Sequence, residues 1–183
     1  MIPCHTGAVG APQNREPFDR MKLISLLLLV AALSACRSGG NATDVSARDR
    51  LLERIGNVND FSKPRPLVSL EEFFEENTDD SSVLYNLSDR PSPQEFFQLL
   101  RTLRDKPEVS DVLVQVQDIP DPSGWPSTDT VWFITSAGPA EVRAWLPRGL
   151  APDELFEGFE QSQSRLEPYE VPEGMRAVGI WYD

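Results

Sequence analysis

Apolar and polar residues in the C-terminal two thirds of the chain recur first at helical and then at strand spacing. The clearest helical pattern begins at Ser92-Pro93-Gln94-Glu95, where a serine and a glutamate three residues later form a capping box with proline between them. The apolar residues that follow fall at i, i+3, i+4 and i+7, so that they share one face. They are Phe96, Leu99, Leu100 and Leu103. The pattern predicts a helix over 92–104.

Short runs of β-branched and aromatic residues predict four strands. These runs are residues 67–70, 112–117, 130–135 and 175–182. The first is ambiguous, because residues 67–74 also fit a strand bent by a bulge or the start of a helix. A second helix is predicted over 139–146 and a short third one over 152–156. Trp132, Trp145 and Trp181 have apolar neighbours on these elements, and we expect them to pack in the core.

The predicted elements follow in the order strand, helix, strand, strand, helix, strand, with the short third helix before the last strand. This is the βαββαβ order of ferredoxin-like domains. We therefore predict an α+β fold with a single globular domain over 65–183. It would hold a four-stranded, mostly antiparallel sheet with two main helices on one face.

The N-terminal part of the chain carries a pattern typical of export. Lys22 precedes an apolar run of 11 residues, 23–33, that ends in small residues before a cysteine. A helix of this length spans about 17 Å, too short for the roughly 30 Å of a bilayer core, so a signal peptide over 21–35 is predicted. Residues 1–20 do not resemble an export n-region. They indicate either a start codon placed too far upstream or an extension that export tolerates.

The end of this signal, Leu33-Ser34-Ala35-Cys36, resembles the lipobox of bacterial lipoproteins. The resemblance implies that the Cys36 thiol receives a diacylglyceryl group, that the signal is cut before it, and that the new amine is acylated. The mature chain, residues 36–183, would then be anchored in the membrane of the cell envelope. Arg37 stands where the family's inner-membrane retention signal is Asp, which implies the periplasmic face of the outer membrane in a host with two membranes. Residues 36–64 are expected to be the lipidated cysteine and a tether.

Charge and residue counts exclude several functions. The chain carries 17 basic and 29 acidic residues, which become 14 and 27 when residues 1–35 are set aside, a net charge of −13. Such an excess argues against nucleic acid and suits either solubility or a basic protein partner. Cys4, Cys36 and His5 are the only cysteines and histidine. The domain therefore lacks the groups for Cys–His or Ser–His–Asp catalysis and the usual zinc sites. We predict no cofactor and no metal, and no catalytic residue is assigned.

The densest charge cluster is a candidate partner-binding surface. Its residues are Glu71, Glu72, Glu75, Glu76, Asp79 and Asp80. An EF-hand loop starting at Asn77 fails because Ser82 stands in place of the glycine and Ser88 in place of the final glutamate. An irregular calcium site or a solvated loop is an alternative. Trp125, in a Gly-Trp-Pro loop, is a candidate recognition anchor, or it folds back over the sheet.

We expect an interaction module for a cationic partner, of the toxin-neutralising or envelope-accessory type. One alternative is a small envelope enzyme that uses carboxylates, with or without calcium, on a wall polymer. Another is a structural spacer. The sequence over 65–183 resembles a group of small acidic bacterial proteins with no known activity. The resemblance lies in VSLEEFFE (68–75), WPSTDTVWFITSA (125–137), EVRAW (141–145) and the aromatic pair before Asp183. It implies one compact domain and no particular chemistry.

Overall fold

An antiparallel sheet of five strands forms the centre of the computed structural model, which describes residues 45–162 and 164–183. Every neighbouring pair of strands in it is antiparallel, and the order across the sheet is β1-β2-β3-β5-β4. The strands are β1 (Leu67–Ser69), β2 (Val109–Gln115), β3 (Thr130–Thr135), β4 (Glu154–Glu157) and β5 (Arg176–Trp181). β3 is the middle strand, and the short strands β1 and β4 are the two edges.

Four α-helices accompany this sheet in the described part of the chain. They are α1 (Ala47–Ile55), α2 (Leu70–Phe74), α3 (Pro93–Arg104) and α4 (Pro139–Trp145). The capping box of α3 is confirmed, because the Ser92 hydroxyl accepts from the Glu95 amide while the Glu95 carboxylate accepts from the Ser92 amide. Ser69 and Glu72 form a second capping box at the start of α2. The ambiguous segment 67–74 is therefore a three-residue strand followed by a short helix.

Both faces of the sheet are covered. On one face, Val131 and Phe133 of β3 belong to the main core with residues of all four helices. On the other face, Trp132 and Ile134 belong to a second cluster, onto which Phe159, Leu166, Tyr169 and Val171 pack from the segment after β4. Because apolar residues point to both sides of β3, all six of its residues are buried. Trp132 is fully buried, as predicted, whereas Trp145 and Trp181 are partly buried.

The α+β class is confirmed, but the four-strand prediction is wrong and the ferredoxin-like order is not confirmed. The fifth strand is β4, which lies where a short helix over 152–156 was predicted. Leu155 pairs with Ile180 and Phe156 with Gly179, so pairing along the free edge of β5 outweighs the local helix-start signal. In addition, β1 pairs directly with β2, whereas a split βαβ unit would place another strand between them.

The folded unit begins earlier than the predicted boundary at residue 65. It comprises residues 44–183, so most of the expected tether over 36–64 belongs to it. Helix α1 starts at an N-cap, Ser46, and buries Ala47, Leu51 and Ile55 in the main core. The signal peptide over 21–35, the segment 1–20 and the lipidation site Cys36 lie outside the described residues.

The contact between Gly179 and Trp132 gives a first prediction. A Cβ built on Gly179 would lie 2.9–3.1 Å from three atoms of the Trp132 ring, which itself donates from Nε1 to the Gln115 side chain over 3.0 Å. We expect Gly179→Ala to lower the free energy of unfolding by about 1–3 kcal/mol, because the ring has to move in a packed layer. Urea unfolding measures this. Gly149→Ala is the control, since nothing lies within 4 Å of its Cβ, and an equal loss in both variants would contradict the assignment.

Candidate functional site

The first half of the predicted acidic patch is occupied by contacts within the protein. Both oxygens of Glu71 accept from the Arg104 guanidinium, at 2.7 and 2.8 Å, and this pairing lowers the pKa of Glu71. Glu72 accepts from the Ser69 amide and hydroxyl at 2.8 Å each in the capping box of α2. These two carboxylates stabilise helix ends and helix packing, and their charges are partly neutralised where they stand.

Two carboxylates of the second half of the patch are also engaged by contacts within the protein. Glu75 forms an ion pair with Arg50 at 2.8 Å, and Glu76 accepts from the Ala47 amide at 3.2 Å at the start of α1. Asp80 is exposed and makes no hydrogen bond or ion pair with any described residue. The six carboxylates predicted as one partner-binding surface therefore do not form a free acidic patch in the described structure. The remaining member, Asp79, has a role of its own.

Asp79 and Trp125 fix the position of the loop that joins β2 to β3. One oxygen of Asp79 accepts from the Trp125 amide at 3.0 Å, and the other accepts from the amide and hydroxyl of Ser81 at 2.9 and 2.6 Å. These hydrogen bonds lower the pKa of Asp79, with that from the Ser81 hydroxyl contributing most. The Trp125 ring is only 8% exposed and donates from Nε1 to the Phe73 carbonyl over 2.9 Å. The Trp125 ring is therefore folded back onto the protein, and its role as a recognition anchor stays a prediction.

The same loop is held at two further points. Arg48 of α1 donates to the carbonyls of Gly124 and Pro122 at 2.7 and 2.6 Å. Where the loop leaves the sheet, the Ser127 hydroxyl donates to the Asp118 carboxylate, and the backbones of these two residues pair as an isolated bridge. The loop over 118–129 is thus fixed at its tip and at its base. It forms one wall of a cavity.

Two adjoining cavities, here called the Tyr85 cavity and the Phe61 cavity, open where β2 and β3 meet this loop. Their volumes are about 310 and 250 Å³, and Gln117 and Asp129 line both. Each contains one of the exposed aromatic side chains of the described chain. Tyr85 is 51% exposed and lines the first cavity, while Phe61 is 73% exposed and lines the second. Exposed rings beside polar side chains are typical of binding sites.

The described residues that line the Tyr85 cavity include two carboxylates and no basic side chain. Gln117 Oε1 is buried and has no hydrogen-bond partner among the described residues. Asp118 Oδ1 accepts from Ser127, and Asp129 Oδ1 accepts from the Thr130 hydroxyl at 2.7 Å. The second oxygen of each carboxylate accepts no hydrogen bond from the described chain. Ser81 and Pro120 complete the wall.

The Phe61 cavity has a different character because it contains a buried arginine. Arg65 is 4% exposed, donates to the Val58 carbonyl and lies 4.4 Å from the centre of the Phe61 ring. No ion pair joins it to a carboxylate within the described ranges. The site as a whole therefore has an acidic, acceptor-rich end and a basic, aromatic end. A broader depression of about 440 Å³ lies over residues 159–169, but its Glu167 and Arg165 already bond to Arg54 and to the Ser62 carbonyl.

Sequence analysis did not select the residues of these cavities. Tyr85, Gln117 and Asp129 lie far apart along the chain and share no spacing motif. The one available signal was the Pro/Asp-rich loop between two predicted strands, since such loops carry binding residues more often than strands do. Within residues 45–162 and 164–183, no group of three or more His, Cys, Asp or Glu side chains is arranged to hold a metal ion. No helix of that part is long and apolar enough to cross a membrane.

Comparison with known proteins places this chain in a family. The model of the uncharacterised protein YfbO family matches residues 46–180, a range that contains both cavities. The chain belongs to this family. A relative in Escherichia coli (strain K12), described as uncharacterised protein YfbO, is 39% identical over 139 residues, which cover 72% of this chain and 98% of the relative. The expected resemblance to an uncharacterised group of small bacterial proteins is confirmed at that level. No solved structure matches the chain.

The role of Asp79 gives a second prediction. Asp79→Ala leaves the part-buried Trp125 amide without its acceptor, so we expect it to lower the free energy of unfolding at neutral pH by about 1–3 kcal/mol. Because folding lowers the pKa of Asp79 below its ordinary value of 3.8, its contribution is present above that pH. It is lost as the pH falls through the lower, folded-state value.

Urea unfolding of the wild-type protein and the variant, at pH 7 and at steps below pH 4, measures both effects. The stability difference between the two should shrink as the acid titrates Asp79. The control is Asp80→Ala, which removes a neighbouring carboxylate without a bond and should change the stability by less than about 0.5 kcal/mol. A difference that stays constant down to the lowest pH would contradict the role of the carboxylate.

Proposed function

We propose that this protein is a lipid-anchored binding module of the bacterial cell envelope whose partner is a cationic protein. The observation that carries the proposal is the Tyr85 cavity, which is lined by two carboxylates and an unpartnered amide oxygen and has no basic residue in its wall. Such a module acts by holding its partner. A toxin that is neutralised and a component of envelope assembly are partners of that kind.

The charge of the domain supports a basic partner. Residues 36–183 carry a net charge of −13. An acidic domain attracts a cationic protein from a distance, which raises the association rate and disfavours acidic competitors. The acidic segment over 71–80 contributes to this field even though five of its six carboxylates have structural contacts. The specific contacts are proposed to lie in the cavity and not on that segment.

The proposed anchor is the acylated Cys36. The lipobox sequence Leu33-Ser34-Ala35-Cys36 supports it. The acidic surface would not dock on anionic headgroups, so the acyl chains would supply the attraction to the membrane. The folded unit begins at residue 44, and we propose that the seven residues between Cys36 and this unit act as a tether. The domain and its cavity would therefore sit close to the membrane surface.

A small envelope enzyme acting on a wall polymer is the second candidate. The observation that favours it is that Asp118 and Asp129 line the same cavity, because glycoside hydrolysis uses a pair of carboxyl groups about 5–9 Å apart. Both carboxylates are bound on one side by a neighbouring hydroxyl, Ser127 or Thr130. This arrangement suits fixed acceptors for a ligand at least as well as an acid and a nucleophile.

The lipid anchor gives a third prediction. The full chain expressed in a bacterium should partition into the detergent phase and into the membrane fraction, and mass spectrometry of its N-terminal peptide should find Cys36 acylated. Cys36→Ser should abolish both the acylation and the cleavage, so that mass spectrometry finds an unmodified N-terminal segment that still carries the signal. Cys4→Ser is the matched control and should change neither result. Recovery of an unmodified Cys36 in a soluble wild-type protein would contradict the anchor.

The partner gives a fourth prediction. Residues 37–183, which include the whole folded unit, are immobilised and incubated with envelope extract at low and at high salt. We expect a basic protein to be captured at about 50 mM salt and lost at about 500 mM, because screening weakens attraction between exposed charges. An extract treated beforehand with free residues 37–183 as competitor should show reduced capture. Capture that does not depend on salt, or only of acidic proteins, would contradict a cationic partner.

A further inference from the structure

The Tyr85 cavity contains more hydrogen-bond acceptors than the protein itself can satisfy. Gln117 Oε1 is buried without a partner in the described structure. Asp118 and Asp129 each have one oxygen bound by a hydroxyl and one oxygen that accepts no hydrogen bond from the described residues. All three side chains line this one cavity, and a buried acceptor without a donor destabilises the fold. Their common requirement is a group with several N–H donors.

The other walls of this cavity suit a positive charge on an apolar stem. The Tyr85 ring is half exposed, and its side chain makes no hydrogen bond within the described ranges, so part of the ring is available for contact with a cation. Pro120 adds an apolar surface, and no Lys or Arg lines the cavity. A volume of about 310 Å³ lies at the small end of the range of ligand sites, which begins at roughly 300 Å³. It fits one side chain better than a polymer.

The walls are held in place before any ligand binds. Arg48 fixes the loop tip, and the Asp79 carboxylate and the Phe73 carbonyl fix Trp125. A Cβ on Gly124 would lie 3.1 Å from Asp79 Oδ2, so the loop approaches that carboxylate closely. The backbone of Gln117 is bonded to the Ser127 carbonyl at 2.9 Å. A fixed arrangement of acceptors lowers the entropic cost of binding.

We propose that the Tyr85 cavity binds the ammonium or guanidinium group of a lysine or arginine side chain that a protein partner presents. The Gln117 amide oxygen and the carboxylates of Asp118 and Asp129 accept its N–H groups, and the Tyr85 ring covers its stem. An ammonium offers three donors for the three open acceptors. The inference rests on the proposed function, because it names the contact by which the cationic partner is recognised.

Replacing Gln117 distinguishes a role in ligand binding from a role in stabilising the fold. A structural role predicts that replacing Gln117 destabilises the protein. A ligand role predicts the reverse: Gln117→Met keeps the volume, removes the unmatched acceptor, raises the Tm by about 3 °C, and weakens binding. Gln98→Met is the matched control, because Gln98 is exposed on α3 and its side chain makes no hydrogen bond with the described residues.

The experiment titrates the full chain, isotope-labelled and held in a non-ionic detergent, with three capped amino acids. Nα-acetyl-lysine methylamide and Nα-acetyl-arginine methylamide carry the charge, and Nα-acetyl-norleucine methylamide carries the stem alone. NMR follows the side-chain amide of Gln117 and the ring of Tyr85. We expect a saturable shift with a Kd of about 1 mM for at least one cationic probe and none for norleucine.

Three variants locate the binding. Asp129→Asn keeps the acceptor for the Thr130 hydroxyl and removes the charge, and we expect it to weaken the cationic probe at least fivefold. Gln117→Met and Tyr85→Ala should each weaken it at least threefold. Glu173→Gln removes one exposed charge outside the cavity and should leave the Kd unchanged. Equal binding of norleucine, an equal loss in Glu173→Gln, or no saturable shift with either cation would overturn the inference.

Repeating the envelope capture with Asp129→Asn separates this inference from the proposed function. Loss of the captured basic protein supports both. Capture that is unchanged in the variant means that the partner docks elsewhere, so the inference fails while the proposed function stands. Probe binding at the cavity together with no captured protein at any salt supports a cation site and contradicts the proposed partner.

Discussion

The central strand β3 is buried along its whole length, and the arrangement of the chain follows from this double burial. Val131 and Phe133 need cover on one face, which the helices provide, while Trp132 and Ile134 need cover on the other, which the segment after β4 provides. A strand with apolar residues on both faces is stable only between two layers. Because the chain has no cysteine after Cys36, no disulfide can assist within the domain. The layers are therefore held together by packing, and the absence of a side chain at Gly179 leaves room for the Trp132 ring on the neighbouring strand.

The parts of the fold that could be predicted are those with local signals. Helix α3 carries its capping box, and β3 carries an unbroken run of β-branched and aromatic residues, so both were found close to their observed bounds. Strand β4 was missed because Pro152 and the acidic residues after it are a good helix start, while its pairing with β5 is a distant contact. The docking of α1 and the cover over Trp132 were missed for the same reason. Each depends on partners far away in sequence, which no short pattern reveals.

For the candidate site, the residues that the sequence singled out and those that line the cavity are different sets. The sequence singled out the densest cluster of carboxylates, but it does not show whether those carboxylates are free to bind a partner. Glu71, Glu75 and Asp79 each contact another group of the protein itself. The acceptors left open, on Gln117, Asp118 and Asp129, stand at the two ends of one loop, and the folded structure brings those ends to the same cavity. Trp125 was correctly singled out as an unusual loop residue, yet its importance lies inside the protein. By burying its ring under the loop it positions the wall of the Tyr85 cavity. The loop that Trp125 and Asp79 stabilise thus also carries the proposed binding residues.

The shortness of β1 and β4 has a consequence for how copies of this protein coexist. The two edges of the sheet offer only three and four residues of ladder. A long edge strand exposes many unpaired backbone groups, with which a strand of a neighbouring molecule can pair. A short edge strand exposes few. Molecules concentrated in two dimensions by a common lipid support, as we propose for this one, would collide far more often than in free solution. The short edge strands would keep the molecules of such a crowded layer monomeric, because they offer little backbone for the intermolecular strand pairing that builds fibrils.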